Sequence, residues 1–289
     1  MENLKDRLRQ SKISGASLEL LDADEARRLA GSNAFHGALL DPGAGTVQPL
    51  AYCHGLARAA QRARAKLYSQ SPVQQLRHEN GVWILNTEAA TIRAHAVLNA
   101  TNAYAQSGAK PAAAQFAFVH YSQFATAPLE PDQLQHILPG REGCWDTALV
   151  MSSIRVDQAG RLIVGGMGNC DGPGGTIHTG WARRKLRALY PDLANVAFEH
   201  CWSGRIAMTG DHVPKVETIG PNALTAFGYS GRGIGPGTVL GTSAAKALLS
   251  KDWDMLPLSV SNGYSERLPA AKEAFFEFGA TAKHAVFIR

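Results

Sequence analysis

The sequence predicts a mixed α+β fold, and three observations carry that prediction. Asn222–Phe227 is a short apolar stretch with strand character; six glycines follow it (Gly228, Gly231, Gly233, Gly235, Gly237 and Gly241), and then an alanine-rich helical run to Ser250. Phe116–Pro128, Leu149–Val156 and Arg161–Gly165 are instead rich in β-branched and aromatic residues, the mark of consecutive hairpins and an antiparallel sheet. Segments of α/β character flank this β region on both sides, so a mixed sheet built from parts distant in sequence is interrupted by an antiparallel one.

Taken in order, residues 1–11 are charged and helical, and Ser14-Gly15 ends them. Leu18–Leu21 is a short strand. Asp22 then caps a helix over DADEARRLA, with Glu25 three positions on to complete a capping box. Phe35–Val47 bends at Pro42, Gly43 and Gly45. A helix runs from Gln48 to about Ala65 on a stripe of Leu50, Leu56, Ala57 and Ala60, with Pro49 tolerated in its first turn. Lys66–Leu76 reads as a strand. Val82–Thr87 and Thr91–Ala100 read as a hairpin whose second arm runs into AVLNATNAY; such an end either closes over a cofactor or is an ordinary hairpin end. Asp157–Gly160 is a turn joining Leu149–Val156 to Arg161–Gly165. A glycine-rich loop (Gly165–Gly175) leads to a helix near Thr176–Tyr190 that Pro191 stops, and a strand Phe198–Met208 precedes the turn Thr209–Pro214. After the strand–glycine–helix element, a polar tail closes the chain.

Composition narrows the function classes. With 289 residues, 45% hydrophobic and 18% charged, the chain can bury a sizeable core. The net charge of +5 is mild, and its densest cluster, Arg183-Arg184-Lys185 with Arg187, sits on a helix beside Trp181 and Leu186. It reads as a solvated helix face rather than a nucleic-acid patch. No apolar run is long enough for a membrane span, and the charged N-terminus is unlike a signal peptide. The four cysteines (Cys53, Cys144, Cys170, Cys201) form no C-x-x-C pair, which predicts reduced thiols, a cytoplasmic setting and no structural zinc. Ten histidines show no metal-binding spacing.

The late glycine run carries the chemistry. Glycines let a backbone approach a ligand closely, and the N-terminus of the helix that follows offers unpaired N–H groups to an anion or an electron-rich ring. The loop matches neither G-x-G-x-x-G, because Pro236 falls where the third glycine belongs, nor a P-loop, because no Lys-Ser/Thr ends it. From the residues alone it is a cofactor-shaped loop of unknown ligand or a mobile connection.

The motifs LLDADEARRL (20–29), GALLDPGAGTVQPLAYCHGLARAA (37–60), SPVQQL (71–76), AHAVLNATNAY (94–104), EGCWDTALVMSSIR (142–155), WSGRIAMTGDHVPKV (202–216) and FGYSGRGIGPGTVLG (227–241) resemble FAD-dependent amine oxidoreductases. The family is the D-amino-acid-oxidase/glycine-oxidase superfamily, in its γ-glutamylputrescine oxidase-like branch. The resemblance runs along nearly the whole chain, in family order. It implies a partial glutathione-reductase-like FAD-binding Rossmann sheet combined with an antiparallel β substrate domain. The division it implies is 1–35 as a remnant of the connection between cap and FAD-binding part, 36–110 and 202–289 as a discontinuous FAD-binding part, and 111–201 as the substrate-binding part.

It further implies that Gly231, Arg232, Gly233, Ile234 and Gly235 lie along the flavin, Val73 near the adenine, and Thr101 and Asn102 near the adenosine and diphosphate. The family's opening strand, G-x-G-x-x-G turn and helix have no counterpart, so the expectation is a chain lacking the N-terminal dinucleotide-binding unit, through truncation, as a remnant, or with the unit supplied by a partner chain. The implied reaction is oxidation of a C–N bond: hydride passes from the α-carbon of a neutral amine to flavin N5, water hydrolyses the imine, and oxygen or another acceptor reoxidises the flavin. The alternative is a non-catalytic, partner-binding relative that does not hold FAD alone.

No catalytic residue is assigned. The substrate-side candidates are His120, Tyr121, Trp145 and Arg205. His120 and Tyr121 are neighbours on a strand, so only one faces a pocket. The carboxylate-binding arginine of glycine-oxidase-like relatives falls at Ile206, one residue out of register with Arg205, so the expected substrate is an amine or polyamine-type compound rather than a simple α-amino acid. Asp211 and His212 read as turn residues before Pro214 rather than an acid–base pair.

Overall fold

The computed structural model describes residues 1–13, 15–104, 116–261 and 263–286. In chain order the elements are α1 (Glu2–Ile13), β1 (Glu19–Leu21), α2 (Ala23–Ala30), β2 (Ala38–Leu40), α3 (Pro49–Arg62), β3 (Gln75–Glu79), β4 (Val82–Asn86), β5 (Thr91–Ala94) and β6 (Val97–Asn99). There follow β7 (Ala117–Pro128), α4 (Pro131–Leu134), β8 (Cys144–Trp145), β9 (Ser152–Val156), β10 (Arg161–Met167), α5 (Gly175–Leu189), β11 (Phe198–Met208), β12 (Lys215–Gly220), β13 (Ala223–Phe227), α6 (Ile234–Ser250), β14 (Val260–Ser261) and α7 (Pro269–Val286). The fold is α+β with mixed and antiparallel sheets. The chain divides into two compact units, one of Met1–Gln48, His120–Gly204 and Glu277–Arg289, the other of Pro49–Val119 and Arg205–Phe276.

In the first unit, β9 pairs antiparallel with both β10 and β8, and β10 with β7, within a sheet of order β11-β7-β10-β9-β8. Even-numbered residues of the inner strands, Phe124, Ile154, Val156, Leu162 and Val164, point to the core, where Trp181, Leu186 and Leu189 of α5 meet them. The two faces follow from the period of two along a strand. Gly166 lies on the core face, and a Cβ there would stand 2.3 Å from the Trp181 ring. Asp22 and Glu25 close the expected capping box on α2, whose C-cap is Gly31 at φ 68°. A Cβ at Gly31 would fall 1.9 Å from the His136 carbonyl oxygen, so only glycine serves there. Ser32 Oγ and Tyr190 Oη tie this corner down by donating to Leu189 O (2.6 Å) and Ala30 O (2.7 Å).

In the second unit, a four-stranded sheet of order β14-β12-β13-β6 packs Val216 and Leu224 against Leu240, Ala244, Ala247 and Leu248 of α6. It is mixed: β13 runs antiparallel to β12 and parallel to β6. The other sheet is the antiparallel meander β3-β4-β5. Trp83 on β4 donates Nε1–H to Pro221 O (2.8 Å) and its ring lies against Gly220, where a Cβ would come within 2.7 Å. No residue of α3 is buried, although Tyr52 Oη bonds Thr238 Oγ1 of α6 at 2.7 Å.

Several sequence expectations change. Ser14 and the predicted division near residue 110 lie outside the described residues. The Lys66–Leu76 strand begins only at Gln75; Gln70, at φ 51°, sits in a turn that breaks it. The expected second hairpin arm is two strands, β5 in the meander and β6 parallel to β13. The polar tail holds β14 and the 18-residue α7. Within the basic cluster Lys185 is buried and binds Asp146 at 2.6 Å, so that helix face is not wholly solvated.

Candidate functional site

In the second unit the parallel strands β6 and β13 end side by side, with Leu98 opposite Leu224 and Asn99 opposite Thr225. Ligands of α/β sheets bind beyond the carboxyl ends of such strands. Beyond β6 come Thr101 and Asn102, and beyond β13 come Gly228–Gly235. Thr101 is exposed, its Oγ1 donating to Asn99 Oδ1 at 2.8 Å. Asn102, in a left-handed conformation (φ 44°), accepts the Gly228 N–H on Oδ1 at 3.0 Å and so clamps the start of the glycine turn. Gly228 itself is at φ 78°, with Thr209 Cγ2 only 2.5 Å from where a Cβ would sit. Val73 is half-buried in the segment leading to β3.

The glycine turn then opens to solvent. Gly231, Arg232, Gly233, Ile234 and Gly235 are all exposed. A Cβ at Gly233 or Gly235 would meet nothing within 4 Å. The N-cap of α6 is Gly233, with no side chain to bond the first turn, and no acidic residue stands there. A 17-residue helix therefore presents its positive end and its free N–H groups on an open main-chain surface.

In the first unit, strand register separates the substrate-side candidates. Trp145 is opposite Ser153, Ser153 opposite Gly165, and Gly165 opposite Gln123, so these four form one row on the sheet face away from α5. Tyr121 lies on the same face and donates Oη–H to Ser153 Oγ at 3.0 Å. Arg155 is there too, opposite Ile163. Gly165 makes room for this layer: a Cβ would come within 2.5 Å of Ser153 Oγ, 2.8 Å of Gln123 Oε1 and 2.8 Å of Tyr121 Cε1. Burial raises the Tyr121 pKa, against the lowering influence of Ser153 and Arg155, so its hydroxyl keeps its proton. Burial lowers the Arg155 pKa. Tyr121 and Trp145 (57% exposed) thus share a face. His120 points to the opposite one, 4.0 Å from Glu277 Oε2.

That opposite face holds a polar network. His178 and His284, both buried, meet through their Nδ1 atoms at 2.8 Å, and His178 Nε2 lies 3.2 Å from Glu277 Oε1. The His284 ring stacks on Trp181 at 3.9 Å, with its Nε2 buried and unpartnered. Burial first, then His178, Arg184 and Lys185, push the His284 pKa down to about 3. Nearby, burial would raise the Asp146 pKa, but hydrogen bonds from Lys185 and Ser152 outweigh it and hold the carboxyl low.

Arg205 belongs to the second unit. Its guanidinium lies over the Tyr104 ring (5.0 Å) and the Phe118 ring (5.1 Å), and its N–H bonds Tyr104 Oη at 3.0 Å. Asp211 accepts from Val213 N–H and pairs with Lys215, and His212 is at φ 58°, as turn residues do. Among the described residues no group of three or more His, Cys, Asp or Glu is placed to hold a metal, and no helix is long and apolar enough to cross a membrane. A cavity of about 540 Å³ at the N-terminus of α5, lined by Cys170, Thr176, Thr179 and Arg183, contains none of the expected site residues. Sequence reasoning missed Gln123, Ser153 and Arg155. The alternation of SSIRV, with Ser152, Ile154 and Val156 buried, was the available signal.

Residues 1–247 match the family described as DAO, FAD dependent oxidoreductase. The chain is 29% identical over 238 residues to a probable oxidoreductase OrdL of Rhizobium meliloti, covering 82% of this chain and 55% of that protein. It is 27% identical over 234 residues to the gamma-glutamylputrescine oxidoreductase of Escherichia coli, covering 77% and 52%. The chain spans about half the length of these curated relatives. Glycine oxidase from Geobacillus kaustophilus shares the fold at TM-score 0.69 and 22% identity, over 86% of this chain and 67% of that one. L-proline dehydrogenase from P. horikoshii does so at 0.73 and 20%, over 96% and 74%. The match over residues 1–247 replaces the expectation of a chain lacking the N-terminal dinucleotide-binding unit with membership of the family. It also corrects the placement in one branch, because the match holds at the level of the family. The chain belongs to the DAO family of FAD dependent oxidoreductases.

Proposed function

We propose that the chain is an FAD-dependent oxidoreductase that oxidises a C–N bond of an amine or amino-acid-like small molecule. The observation that carries this reading is the open, uncapped N-terminus of α6 beside the clamp from Asn102 to Gly228. The residues present fit the cofactor: bare main chain at Gly233 and Gly235 admits a planar ring, and a helix N-terminus favours negative charge on its edge. In this reading Gly231, Arg232, Gly233, Ile234 and Gly235 hold the flavin, and Val73, Thr101 and Asn102 the adenosine side. The second unit is then the FAD-binding part and the first the substrate part. Bound FAD supplies the two-electron acceptor for amine oxidation.

The protein's own contribution is positioning. Tyr121 and Trp145 share the sheet face that holds the substrate, the Tyr121 hydroxyl fixed by Ser153. The protonated hydroxyl, its one proton donated to Ser153, does not act as a base, and the row over Gly165 offers a face against which an amine is aligned. His120, on the core face, and Arg205, committed to two aromatic rings, act as supports. The test is reconstitution of the chain with FAD followed by anaerobic addition of amines. A retained visible flavin band that bleaches with an amine supports the reading. Protein that never takes up flavin favours the non-catalytic relative.

A further inference from the structure

Two of the four cysteines meet at the edge of the five-stranded sheet in the first unit. Cys170 lies in the loop between β10 and α5, and Cys201 lies on β11, the outermost strand on its side. The loop is pinned around Cys170. The Cys170 N–H donates to Ser122 Oγ at 2.9 Å, and the Ser122 hydroxyl donates onward to Gly168 O at 2.6 Å. The Asn169 N–H donates to Glu277 Oε1 at 3.1 Å. Ser203 Oγ reaches Asn169 Oδ1 at 2.9 Å and Asp171 Oδ2 at 2.5 Å, so both residues flanking Cys170 bond one side chain of β11. Cys201 precedes Ser203 by two positions and shares its strand face, which brings the two thiols together as hydrogen-bonded neighbours. Cys201 is exposed and Cys170 is half-buried, so one sulfur is open to a reagent and the other stands behind it. Cys144 is on β8 at the opposite edge of the sheet, and Cys53 belongs to the second unit.

We propose that Cys170 and Cys201 are a reversible dithiol–disulfide modification site, oxidised by a low-molecular-weight disulfide of the glutathione class. The site does not rest on the oxidoreductase reading, since neither cysteine belongs to the glycine turn or to the face of Tyr121 and Trp145. The exposed Cys201 thiolate attacks the small disulfide, forming a mixed disulfide and releasing one glutathione thiolate. Cys170 then attacks Cys201 Sγ, forming the internal disulfide and releasing the second glutathione thiolate. Two electrons pass from the protein thiols to the small disulfide, and the two cysteine protons end on the released thiols. Burial first, then the Cys170 neighbour, push the Cys201 thiol up to about 12. Thiolate is therefore scarce at neutral pH, and the exchange is slow there and quickens as pH rises. Once formed, the bond ties the loop before α5 to the edge strand β11.

The experiment incubates the full chain with glutathione disulfide in mildly alkaline buffer, blocks free thiols with N-ethylmaleimide and maps peptides by non-reducing mass spectrometry. The expected result is a joined pair of peptides holding Cys170 and Cys201, a loss of two hydrogens per chain, and recovery of both thiols with dithiothreitol. Cys53 and Cys144 should stay out of the linkage. In Cys170→Ser the glutathione adduct should persist on Cys201, at least roughly tenfold more abundant than in the wild type, because no neighbouring thiol displaces it. Cys201→Ser, at an exposed position, decides the matter if Cys170→Ser does not fold: the two-hydrogen loss should vanish. Recovery of both cysteines as maleimide adducts overturns the proposal. So does a glutathione adduct that persists on wild-type Cys201, or a two-hydrogen loss that survives in Cys201→Ser.

Discussion

Adjacent glycines on β10 face opposite sides of the sheet, and alanine at Gly166 gives the sharpest stability prediction. Its Cβ would stand 2.3 Å and 2.6 Å from Trp181 Cη2 and Cζ3, well inside contact distance. Trp181 is 2% exposed and is held from the other side by the stacked His284 ring at 3.9 Å. Overpacking of this kind costs about 1–3 kcal/mol and more where the neighbour is rigid, so about 3 kcal/mol is expected. At roughly 2–4 °C per kcal/mol for a domain of this size, the Tm falls by roughly 6–12 °C. Thermal unfolding followed by near-ultraviolet circular dichroism reads it, with Gly241→Ala as the control. A Cβ at Gly241 meets nothing within 4 Å in the middle of α6, so alanine there gains about 0.5–1 kcal/mol through helix propensity. A Gly166→Ala protein melting with the wild type, or no different from Gly241→Ala, would refute the packing described here.

Further outcomes concern charge and the glycine turn. His284, neutral in the fold down to about pH 3, makes the unfolded chain the better proton binder below its ordinary value of about 6.5. Stability should therefore drop as pH falls from about 6.5, and His284→Phe should flatten that limb in urea titrations at several pH values. Asp146, held low, contributes stability above its unfolded value of about 3.9 that is lost as pH falls below it. Lys185→Met should cost about 3 kcal/mol at neutral pH, the low end for breaking a buried pair because the Asp146 side chain keeps 19% exposure. Asn102→Ala strands the Gly228 N–H and loses a residue suited to φ 44°, so chemical denaturation should show a loss of about 1–2 kcal/mol.

Where the signal was local, the sequence was legible. The capping box at Asp22 and Glu25, the turn Asp157–Gly160 and the strand–glycine–helix element all lie where their residue types require. What it hid was pairing at a distance. Nothing in AVLNATNAY says that Val97–Asn99 leaves the meander to run beside β13, because a three-residue strand has too little pattern to choose its partner. Lys185 sits in a basic run that reads as solvated, yet Asp146, 39 residues upstream, draws it inside. The α7 stretch PAAKEAFFEFGATAKHAV looked like tail because its apolar residues form no clean stripe, and Phe275 and Phe278 stay exposed. In the candidate site, the glycine turn was read from composition and Tyr121 and Trp145 from the resemblance. Arg155 and Gln123 needed the register of four strands to become visible.

The most direct measurement is an FAD titration of the wild-type chain beside Gly233→Leu. Gly233 has an ordinary φ of −77° and open space where a side chain would go, so leucine there leaves the fold and Tm unchanged. A visible flavin band is expected on the wild type and none on the variant, at equal circular dichroism. A folded Gly233→Leu protein that holds FAD as tightly as the wild type would contradict it.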